Sequence, residues 1–281
     1  MIERLWITVL ADDAVAKPTL IAEHGLSMLI EADDRRILFD TGQGRVLRCN
    51  AETLGIQFAG LDAVVLSHGH YDHTGGLAFL VQACSPTAIF LHPAALQTKF
   101  SRSNSPAHRA MGMPESSRQA LRAVKDRVVW TESATELVPS VWCTGAIPRV
   151  SPGAPGETRF FLDPEYREPD PLIDDQALFI ETTNGLVVIA GCCHAGVANT
   201  LDCVSALTGR TEIFGMAGGL HLGQATQPQL EASADAISRR KIRILGPCHC
   251  TGMQAHSHLR VRFHPLVRDV GVGTRLEFSE A

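Results

Sequence analysis

The interpretation of this chain depends on one stretch of its sequence, Leu66-Ser67-His68-Gly69-His70-Tyr71-Asp72-His73-Thr74-Gly75-Gly76. Three histidines and one aspartate lie close together in it, directly after the apolar segment 63–66. A short, wholly apolar segment is typical of a strand that is buried on both faces. A loop that leaves such a strand can turn imidazoles and a carboxylate inward together, and Zn²⁺, Fe²⁺ and Mn²⁺ accept these ligands. The spacing therefore predicts a metal site.

The composition limits the classes of function. The chain has 281 residues and a formal net charge of −5, with 45% hydrophobic and 20% charged residues. Such a composition fits a globular protein and argues against a nucleic-acid or membrane partner. No apolar run approaches the roughly 18–20 residues of a membrane-spanning helix. The start of the sequence does not resemble a signal peptide, so we expect a cytoplasmic protein whose eight cysteines are reduced. The oligomeric state stays open.

The order of apolar runs predicts the architecture. Hairpins come first, and mixed strand–helix units follow, which indicates two packed sheets with helices outside in a single domain over 1–281. Segment 92–127 is polar and partly helical, and it is an insertion that could cover a site as a lid. The predicted strands are 4–10, 26–31, 36–40, 63–66, 87–91, 128–131, 141–144, 177–183, 186–190, 211–214 and 242–245. The predicted helices are 45–54, 77–84, 196–208 and 229–240, and a loop is predicted at 215–221.

The histidine stretch resembles the signature loop of the metallo-β-lactamase superfamily, and Phe39-Asp40-Thr41-Gly42 is similar to an earlier motif of that family. The resemblance implies an α/β fold, the four-layer αββα sandwich, with metals at one edge between the two sheets. It implies that His68 and His70 hold the first metal. It also implies that Asp72 and His73 hold the second, and that Asp40 orients a ligand from behind.

The remaining ligands follow from the same resemblance. The family usually supplies a third histidine for the first metal, a bridging aspartate after a strand that ends in glycine, and a final histidine. We assign His194 to the first metal and His249 to the second. After Gly191, however, Cys192 stands where the bridging aspartate is expected. Cys192 could replace it as a thiolate, His221 could replace it, or Cys192 could be an inert buried thiol.

Further residues are candidates for roles beside the metals. His221 is the candidate for proton transfer, and Asp72 is a candidate catalytic group as well as a ligand. His24 is expected to support the site from behind. Arg102 and Arg109, in the insertion, are candidate contacts for an anionic substrate. The alternative for His221 is a histidine that is merely hydrogen-bonded in a loop, and for the arginines it is a solvated loop.

A narrower resemblance concerns one subgroup of the superfamily, which is named for 7,8-dihydropterin-6-yl-methyl-4-(β-D-ribofuranosyl)aminobenzene 5′-phosphate synthase. It implies a metal-dependent enzyme with one or two Zn²⁺ ions, or Mn²⁺ or Fe²⁺ instead. The substrate would be an anionic small molecule that carries phosphate or diphosphate, such as a pterin. The reaction would be hydrolysis or displacement of diphosphate. The alternative is a non-catalytic ligand or metal sensor. The segments that carry this resemblance are 24–27, 67–77, 191–196, 218–222 and 247–252.

Overall fold

Two large β-sheets carry the fold in the computed structural model, which describes residues 1–84, 86–102, 109–151 and 159–278. The first sheet contains β1 (Leu5–Ala11), β2 (Ser27–Ala32), β3 (Arg35–Phe39), β4 (Ala63–Val65), β5 (Ala88–Leu91), β8 (Val128–Trp130) and β16 (Arg275–Glu277). The second contains β9 (Thr135–Val138), β10 (Val141–Cys143), β12 (Ala177–Thr182), β13 (Gly185–Ala190), β14 (Gly215–Gly219) and β15 (Ile244–Cys248). A small third sheet contains β6 (Phe100–Ser101), β7 (Arg109–Ala110) and β11 (Phe160–Phe161).

Both large sheets combine antiparallel and parallel strands. The first sheet runs β16-β1-β2-β3-β4-β5-β8, and the second runs β15-β14-β13-β12-β10-β9. Strands β3, β4, β5 and β8 pair in parallel, as do β13, β14 and β15. The carboxyl ends of parallel strands meet at one edge of a sheet. The loops that follow β4 and β13 bring these edges of the two sheets together, since His68 Nε2 lies 3.2 Å from His194 Nε2.

Alternating side chains build three apolar layers. Ile37 and Phe39 point between the two sheets, where they join residues of the second sheet such as Ile189. Leu38 points to the opposite face and packs among residues of the outer helices. Val188 likewise faces outward, because successive side chains of a strand alternate. The helices are α1 (Leu47–Thr53), α2 (Tyr71–Thr74), α3 (Leu77–Cys84), α4 (Glu115–Ala123), α5 (Val197–Thr208), α6 (Gln227–Ser238) and α7 (Met253–Phe263).

This layering confirms the predicted αββα sandwich. The first sheet packs against α1, α3 and α4 on its outer face, and the second packs against α5, α6 and α7. None of the described helices combines the length and the apolarity that crossing a bilayer needs. All eight cysteines are free in the structure.

The predicted insertion 92–127 contains β6, β7, α4 and short 3₁₀ turns, and residues 103–108 lie outside the described part. Its described ends are fixed to the histidine loop. The backbone N–H of Tyr71 donates to the carbonyl of Met111 at 2.8 Å. The buried ammonium of Lys99 donates to Asp170 at 2.8 Å and to Asp174 at 2.9 Å, and Asp174 accepts the backbone N–H of Gly69 at 2.7 Å. That this segment acts as a lid stays a prediction.

Strand β14 corrects the sequence prediction at 211–221. The sequence predicts a strand at 211–214 and then a loop, but the strand is Gly215–Gly219. Its glycines have low strand propensity, and they occur here because the neighbouring backbone packs too closely for larger side chains. A Cβ on Gly218 would lie 1.9 Å from the carbonyl oxygen of Ala190 on β13. Strand β15 also continues past the predicted 242–245, and its edge position tolerates Pro247.

We expect Gly218→Ala to lower the free energy of unfolding by about 2–4 kcal/mol, since it combines a steric clash with a strained backbone. Gly218 has a φ of 114° and no room for a Cβ, whereas Gly60 has a φ of 75° and nothing within 4 Å. Gly60→Ala is therefore the matched control, with an expected loss of about 1–2 kcal/mol from the backbone alone. Urea unfolding of both variants measures the difference, and equal losses would contradict the packing argument.

Candidate metal centre

The histidine loop reaches the site because it leaves β4 at the edge where the two sheets meet. His68, His70, Asp72 and His73 are all buried, with at most 4% of their surface exposed. Gly69 lets the loop approach the 3₁₀ turn Pro93–Leu96, since a Cβ there would lie 2.3 Å from the carbonyl oxygen of Ala95. Burial of this many polar groups is costly unless each has a partner.

Three imidazole nitrogens form the first group. His68 Nε2 lies 2.9 Å from His70 Nδ1 and 3.2 Å from His194 Nε2. Ligand atoms on bonds of roughly 2.0–2.1 Å to a tetrahedral ion lie about 3.3–3.4 Å apart, so the observed spacing suits one ion. Burial, together with the neighbouring imidazoles, lowers the pKa of His68 and His70 well below the usual value. Both rings are therefore neutral and keep a lone pair for a cation.

Two imidazoles and a carboxylate form the second group. His73 Nε2 lies 3.2 Å from His249 Nε2. Asp72 Oδ2 lies 3.8 Å from the first of these nitrogens and 3.7 Å from the second. The other oxygen of Asp72, Oδ1, is buried and has no hydrogen-bond partner among the described residues. An unpaired buried carboxylate oxygen is expensive, and a cation beside it would remove that cost.

The Cys192 thiol lies between the two groups. Its Sγ is 3.2 Å from His73 Nε2, and it lies within 4.8 Å of the ligand nitrogens of His68 and His194 and of His249. Cys193 turns the other way, and its Sγ is 3.5 Å from Thr200 Oγ1. Burial raises the pKa of the Cys192 thiol, so a thiolate at this place needs a cation.

Asp40 lies behind the centre and contacts both His73 and Ser67. Its Oδ2 is 2.7 Å from His73 Nδ1 and accepts the Ser67 hydroxyl at 2.6 Å, while its Oδ1 accepts the backbone N–H of Ser67 at 2.7 Å. The Ser67 hydroxyl also lies 2.9 Å from His68 Nδ1. A carboxylate on Nδ1 fixes the tautomer that leaves the Nε2 lone pair facing the site.

Asp13 lies behind His249 in the second group, as Asp40 lies behind His73. The sequence analysis did not single out Asp13. Its Oδ1 lies 2.7 Å from His249 Nδ1, and its Oδ2 lies 2.9 Å from His24 Nδ1. The Nε2 of His24 lies 3.3 Å from Asp72 Oδ2, so His24 borders this group as predicted for a supporting residue. Burial raises the pKa of Asp13, but the hydrogen bonds with His24 and His249 outweigh it and hold that pKa well below the usual value. The signal that the sequence offered for Asp13 was its position two residues after the end of β1.

The other candidate residues lie around this centre. The His221 ring is 4.3 Å from the His194 ring, and its backbone N–H donates to Cys250 Sγ at 3.3 Å. The Arg102 guanidinium lies over the rings of Phe161 and Tyr166, at 4.6 and 5.3 Å. The side chain of Arg109 lies outside the described residues. The structure thus gathers the predicted ligands and His221, and it places Arg102 against β11.

The donor set fits divalent metal ions. Imidazole nitrogens, the Asp72 carboxylate and the Cys192 thiol face a common space, and two pairs of Nε2 atoms lie 3.2 Å apart. The Cys250 Sγ lies within 4.8 Å of the Cys192 Sγ. A metal ion placed between two such nitrogens would be bound by a lone pair of each. The buried Asp72 carboxylate supplies negative charge in the same place.

Comparisons with known proteins agree with this geometry. The family model of the metallo-beta-lactamase superfamily matches residues 20–197. The chain is 25% identical over 289 residues to 7,8-dihydropterin-6-methyl-4-(beta-D-ribofuranosyl)-aminobenzene-5'-phosphate synthase of Methanocaldococcus jannaschii, with 99% of this chain and 98% of that protein covered. It is 30% identical over 254 residues to an uncharacterized protein of the same organism, covering 90% and 93%.

A solved structure is similar over the whole chain. Tm1679, described as a metal-dependent hydrolase of the beta-lactamase superfamily, superposes with a TM-score of 0.80 at 30% identity, covering 98% of this chain and 100% of that one. A diphosphatase of the PhnP family, at 16% identity, superposes with a TM-score of 0.51 over 99% and 98% of the two chains and shares the fold. The matched model, the layered sheets and the histidine loop at their edge give one conclusion: the chain belongs to the metallo-β-lactamase superfamily.

Proposed function

We propose that this protein is a dinuclear metalloenzyme that acts on an anionic small molecule with a phosphate or diphosphate group. The observation that carries the proposal is the pair of buried donor groups on either side of the Cys192 thiol. The first metal would be held by His68, His70 and His194. The second would be held by Asp72, His73 and His249, with the Cys192 sulfur facing both. Zn²⁺ suits this mixture of nitrogen and sulfur donors best, and Mn²⁺ or Fe²⁺ are alternatives.

The protein's own groups prepare the site for chemistry. Divalent ions bound there would lower the pKa of a water molecule toward ~7 and polarise a phosphoryl oxygen. Asp40 and Asp13 hold His73 and His249 so that their Nε2 atoms face the site. Phe160 is 3% exposed, and its ring is 4.8 Å from His70 and 5.5 Å from His194, so it keeps bulk water from the first group.

His221 and Asp72 are the proposed catalytic groups. His221 borders the first group through His194, and its Nε2 lies 3.0 Å from Arg159 Nη2. A guanidinium has no acceptor, so His221 Nε2 accepts this hydrogen bond and the ring is neutral in this arrangement. With Nε2 accepting from Arg159, the ring hydrogen is on Nδ1, from which His221 can donate a proton to a leaving group; it can take a proton from a nucleophile at Nε2 once the hydrogen bond to Arg159 is broken. On the side of the second metal, the Asp72 carboxylate would orient the nucleophile and exchange a proton with it.

The substrate class rests on the relatives. The curated synthase of M. jannaschii is named for a product that carries a phosphate, and it is similar to this chain along its full length. Two reactions suit the site: hydrolysis of a phosphoester, or displacement of diphosphate by an amine. A net charge of −5 speaks against a nucleic-acid substrate. We propose a small-molecule partner, no membrane partner, and the cytoplasm as the compartment.

Turnover with defined metals tests the proposal. The purified chain is stripped with a chelator, reloaded with Zn²⁺, Mn²⁺ or Fe²⁺, and assayed with bis(p-nitrophenyl) phosphate, p-nitrophenyl diphosphate and a lactone. We expect phosphoester turnover that falls at least about a hundredfold in His68→Ala and His73→Ala, together with a loss of bound metal. His256→Ala, on the helix α7, is the control and should keep both. Ligand binding without any turnover would instead indicate a sensor.

The two adjacent cysteines offer a matched pair. We expect Cys192→Ser to lower the bound metal from about two ions toward one, because a hydroxyl replaces a thiol that faces both donor groups. Cys193→Ser should keep the metal content, because its Sγ faces Thr200. Elemental analysis of both proteins after dialysis decides the matter. Equal metal content in the two variants would assign Cys192 the role of an inert buried thiol.

Asp13→Asn is expected to weaken binding of the second Zn²⁺ by about tenfold to a hundredfold, since an amide orients the His249 ring less firmly than a carboxylate does. Competition with a zinc-chelating dye measures the affinity. Asp163→Asn, in an exposed turn, is the control. An unchanged affinity in Asp13→Asn would mean that His249 needs no carboxylate behind it.

A further inference from the structure

We propose that Arg159 binds a phosphoryl group of the substrate on the side of the first donor group; the inference rests on the proposed function and names the contact that selects this substrate class. The sequence points to Arg102 and Arg109 as anion contacts, and Arg159 did not stand out in it. The position of Arg159 in the fold is what distinguishes it. It directly precedes β11, the strand that carries Phe160 over the site.

Three contacts with other described residues hold Arg159 next to the first donor group. Its Nη1 donates to Gln224 Oε1 at 3.1 Å, and its Nη2 donates to His221 Nε2 at 3.0 Å. Its guanidinium also lies 4.8 Å from the centre of the Phe160 ring. Since the His221 ring lies 4.3 Å from the His194 ring, two imidazoles, His221 and then His194, connect the guanidinium to the first metal position. These contacts fix a cation at the wall of the site.

The charges around the site are unevenly distributed. The carboxylates of Asp13, Asp40 and Asp72 contact the second donor group. The first group consists of three imidazoles, those of His68, His70 and His194. Arg159 contacts His221 beside that group, whereas the nearby ammonium of Lys99 is paired with Asp170 and Asp174. An anionic substrate is therefore drawn to the first group, and the apolar Phe160 ring strengthens its attraction to the guanidinium by excluding water.

The geometry suits a phosphoryl group better than a carboxylate. A phosphoryl group has three terminal oxygens, so one oxygen would be left for the guanidinium if the other two contacted metal ions. A carboxylate has two oxygens and must give up one of these contacts. A guanidinium also presents parallel N–H groups that match two oxygens of a phosphate, which an ammonium does not.

Arg102 is in a different environment. Its guanidinium lies over the rings of Phe161 and Tyr166. Phe161 follows Phe160 on β11, and successive side chains of a strand point to opposite faces. Phe160 faces His70, His194 and His221, so Arg102 lies on the face of β11 that is turned away from the donor groups.

Titration calorimetry with inorganic pyrophosphate tests the proposal on the zinc-loaded protein, without relying on turnover. We expect Arg159→Gln to raise the dissociation constant by about ten- to a hundredfold, and Arg159→Lys to raise it less, because the charge stays but the paired contact is lost. Arg275→Gln is the matched control, since that guanidinium lies 4.4 Å from the Trp6 ring at the far edge of the first sheet. It should bind pyrophosphate as the unaltered chain does.

Three results would overturn the proposal. The first is unchanged pyrophosphate binding in an Arg159→Gln protein that keeps its zinc and its thermal melting temperature. The second is a loss in Arg102→Gln with none in Arg159→Gln. The third is an equal loss of affinity for acetate and for pyrophosphate, which would make the site a general anion site. A chain that binds no zinc at all would count against the proposed function, whereas the first two results leave that function standing.

Discussion

The buried carboxylate of Asp40 is the contact on which the metal centre depends. It accepts the backbone N–H and the hydroxyl of Ser67 and lies against His73 Nδ1, so it ties the end of β3 to the loop after β4 and to α2. A charge with no exposed surface is stable only when its oxygens are satisfied, and here all of its partners belong to the histidine loop. The same contact that stabilises Asp40 therefore fixes the direction of the imidazoles.

The fold and the superfamily could be predicted from the sequence because the decisive residues are neighbours in the chain. Residues 66–76 carry ligands and glycines together, and the structure confirms the sandwich around them. Asp13 could not be predicted in the same way, because its partner His249 lies 236 positions further along the chain. Strand β14 was missed since a glycine-rich segment has low strand propensity, and its strand character depends on the neighbours β13 and β15.

The direction of Cys192 depends on backbone angles that composition does not reveal. Cys193 has a φ of 56°, and this left-handed turn sends its thiol toward Thr200 while Cys192 faces the histidines. Under the proposed assignment, a soft sulfur stands where the resemblance to the superfamily leads us to expect an aspartate. Sulfur favours Zn²⁺ or iron over harder ions such as Mg²⁺, so the change would narrow the choice of metal. A Cys192 thiolate would also place one negative charge between the two cations, but it offers a single sulfur atom where a carboxylate offers two oxygens.

The ion cluster of Lys99 has a consequence for how this protein can vary. Lys99 is 1% exposed, and its ammonium joins Asp170 and Asp174, which lie more than seventy positions further along the chain. Moving that ammonium away would leave two carboxylates buried without a counter-charge. Insertions and exchanges between relatives should therefore concentrate outside the anchored ends of this segment. If this segment were replaced by that of a relative, the new segment would need a cation at position 99, or Asp170 and Asp174 would have to be replaced together with it.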